Sequence, residues 1–221
     1  MRRTVVVLQP NYLPWIGTFD LMAHADVWIW LDTVQYTKND WRNRNKIAAG
    51  SEEPFWLSLP VKTRGRSGQT IAEAELDDRA DWGARHLRSL EQTYAKSPHR
   101  EELLDLLREI LQRRQRLLVD LTIPACERIG RALGCSTAFK RATELGVDSY
   151  DGSSARVVAL CRNAEATHYI TGPAARGYLD VDAFRQAGIK VVYAAYDYPP
   201  YERGSHTFHQ GLSTADILAW Q

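Results

Sequence analysis

Apolar and polar positions along this chain follow two periods, and each period predicts an element. Val5-Val6-Val7-Leu8 is apolar at every position, the pattern of a strand buried on both faces. A first strand is predicted over Thr4–Gln9. After a polar turn, Ile16, Phe19 and Met22 recur at helical spacing, which predicts a helix over Leu13–Ala25. Val27-Trp28-Ile29-Trp30-Leu31 is a second continuous apolar run. Strand, helix and strand within about thirty residues make a βαβ unit, the start of a parallel sheet.

Phe55–Val61 reads as a third strand and Ile71–Leu76 as a short edge strand. Trp82, His86, Leu90 and Tyr94 then recur every four residues, with Leu87 on the same side. That is a helix with an apolar stripe, and His86 within it reads as a hydrogen-bonded core histidine. Ser97-Pro98 breaks the chain. A second helix carries Leu103, Leu104, Leu106, Leu107, Ile110 and Leu111 and runs into Arg113–Arg116, which reads as a solvated helix end. A third helical stretch covers Leu117–Leu133, with Pro124 as its start or a kink and Gly134 after its end. Residues 80–134 are therefore expected to be a helical insertion. Beyond it, a strand is predicted over Ser136–Ala142 and a helix over 154–164 capped by Ser153. Thr167–Thr171 follows as a strand. Asp180 caps a helix over 181–187, ended by Gly188, and Ile189–Tyr193 is the last parallel strand. Ser213 caps a C-terminal helix. One Rossmann-like α/β domain over 1–221, with a mostly parallel sheet, is the predicted architecture.

Composition narrows the function. The 221 residues are 44% hydrophobic and 25% charged, enough for a full core. A net charge of +1 argues against a general nucleic-acid or membrane-surface binder. The three cysteines, Cys126, Cys135 and Cys161, have no CxxC or Cys/His spacing, so reduced buried thiols are expected. His206 and His209 are spaced HxxH without a third ligand nearby, and no metal is expected. Arg2 and Arg3 precede an apolar run too short for a signal peptide, and no stretch is long enough to span a membrane. A cytoplasmic protein is expected.

Three polar–aromatic stretches carry the candidate chemistry, and each follows a predicted strand. In an open α/β sheet the C-terminal strand edge is where ligands bind. The first is Gln9-Pro10-Asn11-Tyr12-Leu13-Pro14-Trp15. The second runs from Asp32 through Gln35, Tyr36, Lys38, Trp41, Asn43 and Arg44 to Lys46. The third contains Thr171, Gly172, Arg176 and Tyr178. Five of the seven tryptophans (Trp15, Trp28, Trp30, Trp41, Trp56) fall early, so some can wall a pocket. The Gly-rich basic loop Lys62–Gln69 lacks phosphate-loop spacing and is expected to be mobile.

Those three stretches, with Ala187–Tyr193, resemble the WbqC-like family over nearly the whole chain. The resemblance implies a setting in bacterial O-antigen and related biosynthesis, and a glycine transferase role has been suggested for members. A weaker likeness is to nucleotidyltransferase-type Rossmann enzymes such as pantothenate synthetase. Those place two histidines in the first turn, whereas this chain has Asn11, Tyr12 and Trp15 there.

Three functions are compatible with these residues. The first is an aminoacyl or acyl (glycine) transferase forming an amide on an amino sugar or small amine. Asp32 would accept the amine proton, and Asn11 and Gln35 would serve the developing oxyanion. Gln9, Tyr12, Trp15, Tyr36, Lys38, Trp41, Asn43, Arg44, Lys46, Thr171, Gly172, Arg176 and Tyr178 would bind substrate. With no Ser or Cys beside a His in sequence, no covalent enzyme intermediate is expected. The second is an ATP-dependent nucleotidyltransferase or ligase, and the third a non-catalytic nucleotide- or sugar-binding module. The partners these readings call for are a nucleotide-linked amino sugar and, as donor, ATP, a thioester on a carrier protein, or an aminoacyl-tRNA.

Overall fold

The continuous runs of β-branched and aromatic residues form buried parallel strands. In the computed structural model, which describes residues 1–49, 53–147 and 152–221, β1 (Thr4–Leu8) is followed by α1 (Ile16–Ala23) and β2 (Val27–Trp30). Next come β3 (Arg44–Ile47), β4 (Phe55–Ser58), α2 (Trp82–Thr93), α3 (Arg100–Gln112) and α4 (Val119–Ala132). The chain ends with β5 (Ala138–Arg141), α5 (Ser153–Asn163), β6 (His168–Thr171), α6 (Val181–Gln186), β7 (Lys190–Tyr193) and α7 (Thr214–Trp220). It is a mixed α/β protein with a five-stranded sheet in the order β5-β2-β1-β6-β7. Every pairing in that sheet is parallel, with Val5 opposite Val27 and Tyr169 opposite Val191. Strands β3 and β4 form a separate antiparallel pair.

The chain divides into two compact units. The first comprises Met1–Gln9, Gly17–Val34 and Gly130–Asp197 and holds the sheet. Val5, Val7 and Ile29 pack with Leu160 of α5 and Phe184 of α6 in one core cluster. Trp28 and Trp30 are fully buried, and Trp30 stacks on Phe139 of β5 at 6.2 Å. All three cysteines are free and buried.

The second unit comprises Pro10–Ile16, Gln35–Ile129 and Tyr198–Gln221. Helix α2 starts where Asp81 accepts a bond from the Ala84 amide, and it buries Trp82, His86 and Leu90. Helix α3 buries Leu103, Leu104, Leu107, Ile110 and Leu111, as its period requires. Ser213 caps α7 by accepting from the Ala215 amide.

Several local expectations are corrected. Helix α1 starts at Ile16, not Leu13, because Leu13 sits at φ +42° in the left-handed region. Arg44–Lys46, expected in a loop, is strand: Asn45 and Ile47 are buried while Arg44 and Lys46 are half-exposed, a period of two hidden by polar residues. Ile71–Leu76 is no strand and contributes only single bridges, Leu76 with Val61 and Glu75 with Leu117. Of the two positions expected for Pro124, a helix start or an interior kink, the interior one is found: it lies inside α4. Ser153 is the first residue of α5, and Gly152 at φ +102° occupies the cap. At the basic loop Lys62–Gln69, Lys62 and Arg66 reach Glu75 within 3.3 Å, as does Arg116 from beyond α3. Those three cations hold the Glu75 carboxyl down at about 2. Arg113 and Arg116 are solvated as expected, and they also pair with Glu109 and Glu75.

Candidate functional site

Two stretches of the second unit build a pocket by knitting to each other through backbone groups. The Tyr12 amide donates to the Trp41 carbonyl at 2.9 Å. Asn45, buried between the half-exposed Arg44 and Lys46 on β3, donates its side-chain amide to the Leu13 carbonyl at 2.7 Å and to that of Tyr12 at 3.3 Å. These bonds hold Leu13 in a conformation that costs a non-glycine residue about 1 kcal/mol. Tyr12 is fully buried and its hydroxyl bonds His86 Nδ1 at 2.8 Å. Burial pushes the Tyr12 phenol up. Burial, and then the charge of Arg85, pull His86 down to about 4.

The turn so fixed opens on a cavity of about 460 Å³ lined by Asn11, Pro14, Trp15, Trp41, Asn45 and Lys46. A larger cavity of about 570 Å³ is lined by Trp15, Tyr198, Tyr201, Glu202, Phe208 and His209, among others. The two share Trp15, Gln210 and Gly211 in their linings. Their electrostatic characters differ. Lys46 makes no ion pair among the described residues, and its ammonium lies 5.1 Å from the Trp56 ring. Arg44 stacks its guanidinium on the same ring at 4.0 Å, and Trp41 meets Trp56 at 5.3 Å. Both indoles remain well exposed, Trp41 at 43% and Trp56 at 37%. The larger cavity has no Lys or Arg in its lining. Asn11 Oδ1 and His209 Nε2, one from each lining, are buried without a hydrogen-bond partner among the described residues.

A buried ion pair shapes the larger cavity. Arg203 donates two bonds to Asp216 at 2.8 Å and another to the Ala48 carbonyl at 2.8 Å, and also bonds the Thr207 carbonyl. Tyr201 donates its hydroxyl to Asp216. The bidentate geometry and the further bonds to Arg203 and Asp216 fix the backbone between Tyr198 and Ser213.

The other residues marked in the sequence fall in both units. In the second, Tyr36 and Asn43 are packing residues. The Tyr36 phenol is pushed up to about 12 by burial and then Asp40, and the Asn43 side chain donates to the Leu59 carbonyl at 2.8 Å. Gln35, which bridges Thr70, and Lys38 are exposed. In the first unit, Gln9, Asp32 and Thr171 lie at the C-terminal ends of β1, β2 and β6, which share one sheet. Asp32 is fully buried and accepts from Arg141 Nε at 2.8 Å, the Thr143 hydroxyl at 3.0 Å and the Thr143 amide at 3.1 Å. Arg176 lies over the Tyr193 ring at 4.1 Å, and Tyr178 is 68% exposed. A Cβ at Gly172 would stand 3.2 Å from the Tyr196 hydroxyl, which accounts for a glycine there. Sequence reasoning missed Asn45, Glu202, Phe208 and Gln210 as pocket residues, and considered His209 only as a metal ligand. The tyrosine–proline run at Tyr198–Tyr201 and the glycine at φ +76°, Gly211, were the available signals. Among the described residues, no three His, Cys, Asp or Glu side chains are grouped to hold a metal, and no helix is long and apolar enough to cross a membrane.

Residues 9–221 match the profile of the WbqC-like protein family. The chain belongs to the WbqC-like protein family. A relative from Mycobacterium tuberculosis (strain ATCC 25618 / H37Rv), the uncharacterized protein Rv1507c, is 38% identical over 218 residues, covering 98% of this chain and 93% of its own length. No solved structure matches this WbqC-like chain.

Proposed function

We propose that this WbqC-like chain is an aminoacyl or acyl transferase that forms an amide on an amino sugar or small amine in surface-polysaccharide or secondary-metabolite biosynthesis. The observation carrying this reading is the pair of adjoining cavities with opposite character and a common wall at Trp15, Gln210 and Gly211. A reaction between an anionic activated substrate and an amine needs two such compartments side by side, because orientation supplies much of the rate. The compartment with Lys46 suits a phosphate-bearing partner, and Arg44 with the exposed indoles favours a nucleotide-linked one. In the transfer, the amine nitrogen attacks the activated acyl carbon and a C–N bond forms. The bond to the leaving phosphate or thiolate breaks, and the leaving group takes the electron pair. The amine proton passes to a base. Asn11 serves the oxyanion in this reading. Asp32, already bonded to Arg141 and Thr143, positions the β2 end rather than carrying a proton, and Gln35 supports the loop. The test is incubation with glycine, ATP and a nucleotide-linked amino sugar, and in parallel with glycyl-thioester and glycyl-tRNA donors. An amide product detected by mass is expected, and no amide from any donor overturns the proposal. ATP–pyrophosphate exchange dependent on an amino acid would instead support the ligase reading.

A further inference from the structure

We infer that the larger cavity of the second unit receives a protonated amine. The ammonium group is held by Trp15, Tyr198, Tyr201 and Phe208 beside Glu202, with His209 in the same lining to take its proton. This extends the transferase reading by naming the charge state of the acceptor.

The ring geometry comes first. Trp15 and Tyr198 meet edge to face at 5.7 Å and 76°, and Tyr201 and Phe208 at 5.1 Å and 83°. Within each pair the rings stand at right angles, so their faces point in different directions, an arrangement that suits a compact cation. A flat ligand would call for parallel rings. Each aromatic face is electron-rich and attracts a cation desolvated against it.

Charge points the same way. Glu202 is in the lining and makes no ion pair among the described residues, while no Lys or Arg lines the cavity. The adjacent Arg203 is compensated by its bidentate bond to Asp216, so its charge does not oppose a ligand cation. An amine at neutral pH arrives as R–NH₃⁺ and is not nucleophilic until it loses a proton. His209 is the basic side chain in the lining, and its buried Nε2 has no hydrogen-bond partner among the described residues. The step is a proton transfer from R–NH₃⁺ to the His209 imidazole, leaving R–NH₂ with its lone pair and an imidazolium. The single positive charge stays within the cavity that Glu202 lines.

The experiment titrates the whole chain with choline, ethanolamine and 3,3-dimethylbutan-1-ol, read by tryptophan fluorescence and calorimetry. The alcohol copies the shape of choline without its charge. Choline is expected to bind about tenfold tighter than the alcohol. Glu202→Gln, at an exposed position, is expected to weaken choline and ethanolamine severalfold and leave the alcohol unchanged. Equal affinities for choline and the alcohol, or no effect of Glu202→Gln on either cation, overturn the inference. The amide assay separates the two readings. Ammonium binding without amide formation removes the transferase alone. Amide formation with an amine KM unmoved in Glu202→Gln and Phe208→Leu removes the ammonium site alone. His209→Gln is expected to lower kcat at nearly constant amine KM, and unchanged kcat removes the proton-acceptor role.

Discussion

Replacing His86 by Gln should flatten the acid side of the stability curve. The imidazole is 2% exposed, accepts the Tyr12 hydroxyl at Nδ1 (2.8 Å) and bonds the Ser58 backbone. Burial and Arg85 lower its pKa from 6.5 to about 4. An unfolded chain takes up a proton on this group below 6.5, while the folded chain refuses one until about 4. Between those values the unfolded state binds more protons, so stability falls as pH drops and the loss is complete below the lower value. The gap corresponds to about 3 kcal/mol in the limit, of which about 2 kcal/mol falls between about pH 7 and about pH 4.5. Gln can keep both hydrogen bonds but does not titrate. Urea unfolding of the two proteins across this range, followed by fluorescence and circular dichroism, measures the difference. The variant is expected to lose less stability than the parent, by about 2 kcal/mol. Parallel loss in both proteins would refute the claim that burial keeps His86 neutral.

Three further outcomes are expected. Arg203→Met leaves Asp216 buried without its partner, so stability should drop by about 3 kcal/mol or more, and the double variant with Asp216→Leu should recover much of it, both read by urea midpoints. Gly83→Ala puts a Cβ 2.0 Å from the Leu111 carbonyl oxygen, a backbone atom that cannot turn aside. A lowered melting temperature and a cost of about 2 kcal/mol are expected, and an unchanged midpoint would contradict the packing of α2 on α3. Lys46→Gln should weaken pyrophosphate binding and reduce its salt dependence, measured by calorimetry at low and moderate ionic strength.

The parallel sheet was legible because Val5–Leu8 and Val27–Trp30 are apolar at every position, and only strands covered on both faces need that. The helices of 82–132 were legible because their apolar residues keep a helical period. Caps at Asp180 and Ser213 could be read because one side chain bonding a nearby amide is a local event. The β3 strand was not legible, since Arg44 and Lys46 sit on its outer side and Asn45 is buried by bonds to a turn some thirty residues earlier.

The same division holds at the site. Sequence by itself determined the family, the sheet and the polar–aromatic residues Asn11, Trp15, Trp41 and Lys46, because residue types and local periods are properties of neighbouring positions. Only the tertiary structure decided that Tyr12 is bonded to a neutral His86, that Asp32 is committed to Arg141, and that Trp15 meets Tyr198 beside Glu202 and His209. Each of these depends on groups far apart in the chain, and burial, ion pairing and cavity walls arise only when folding brings such groups into contact.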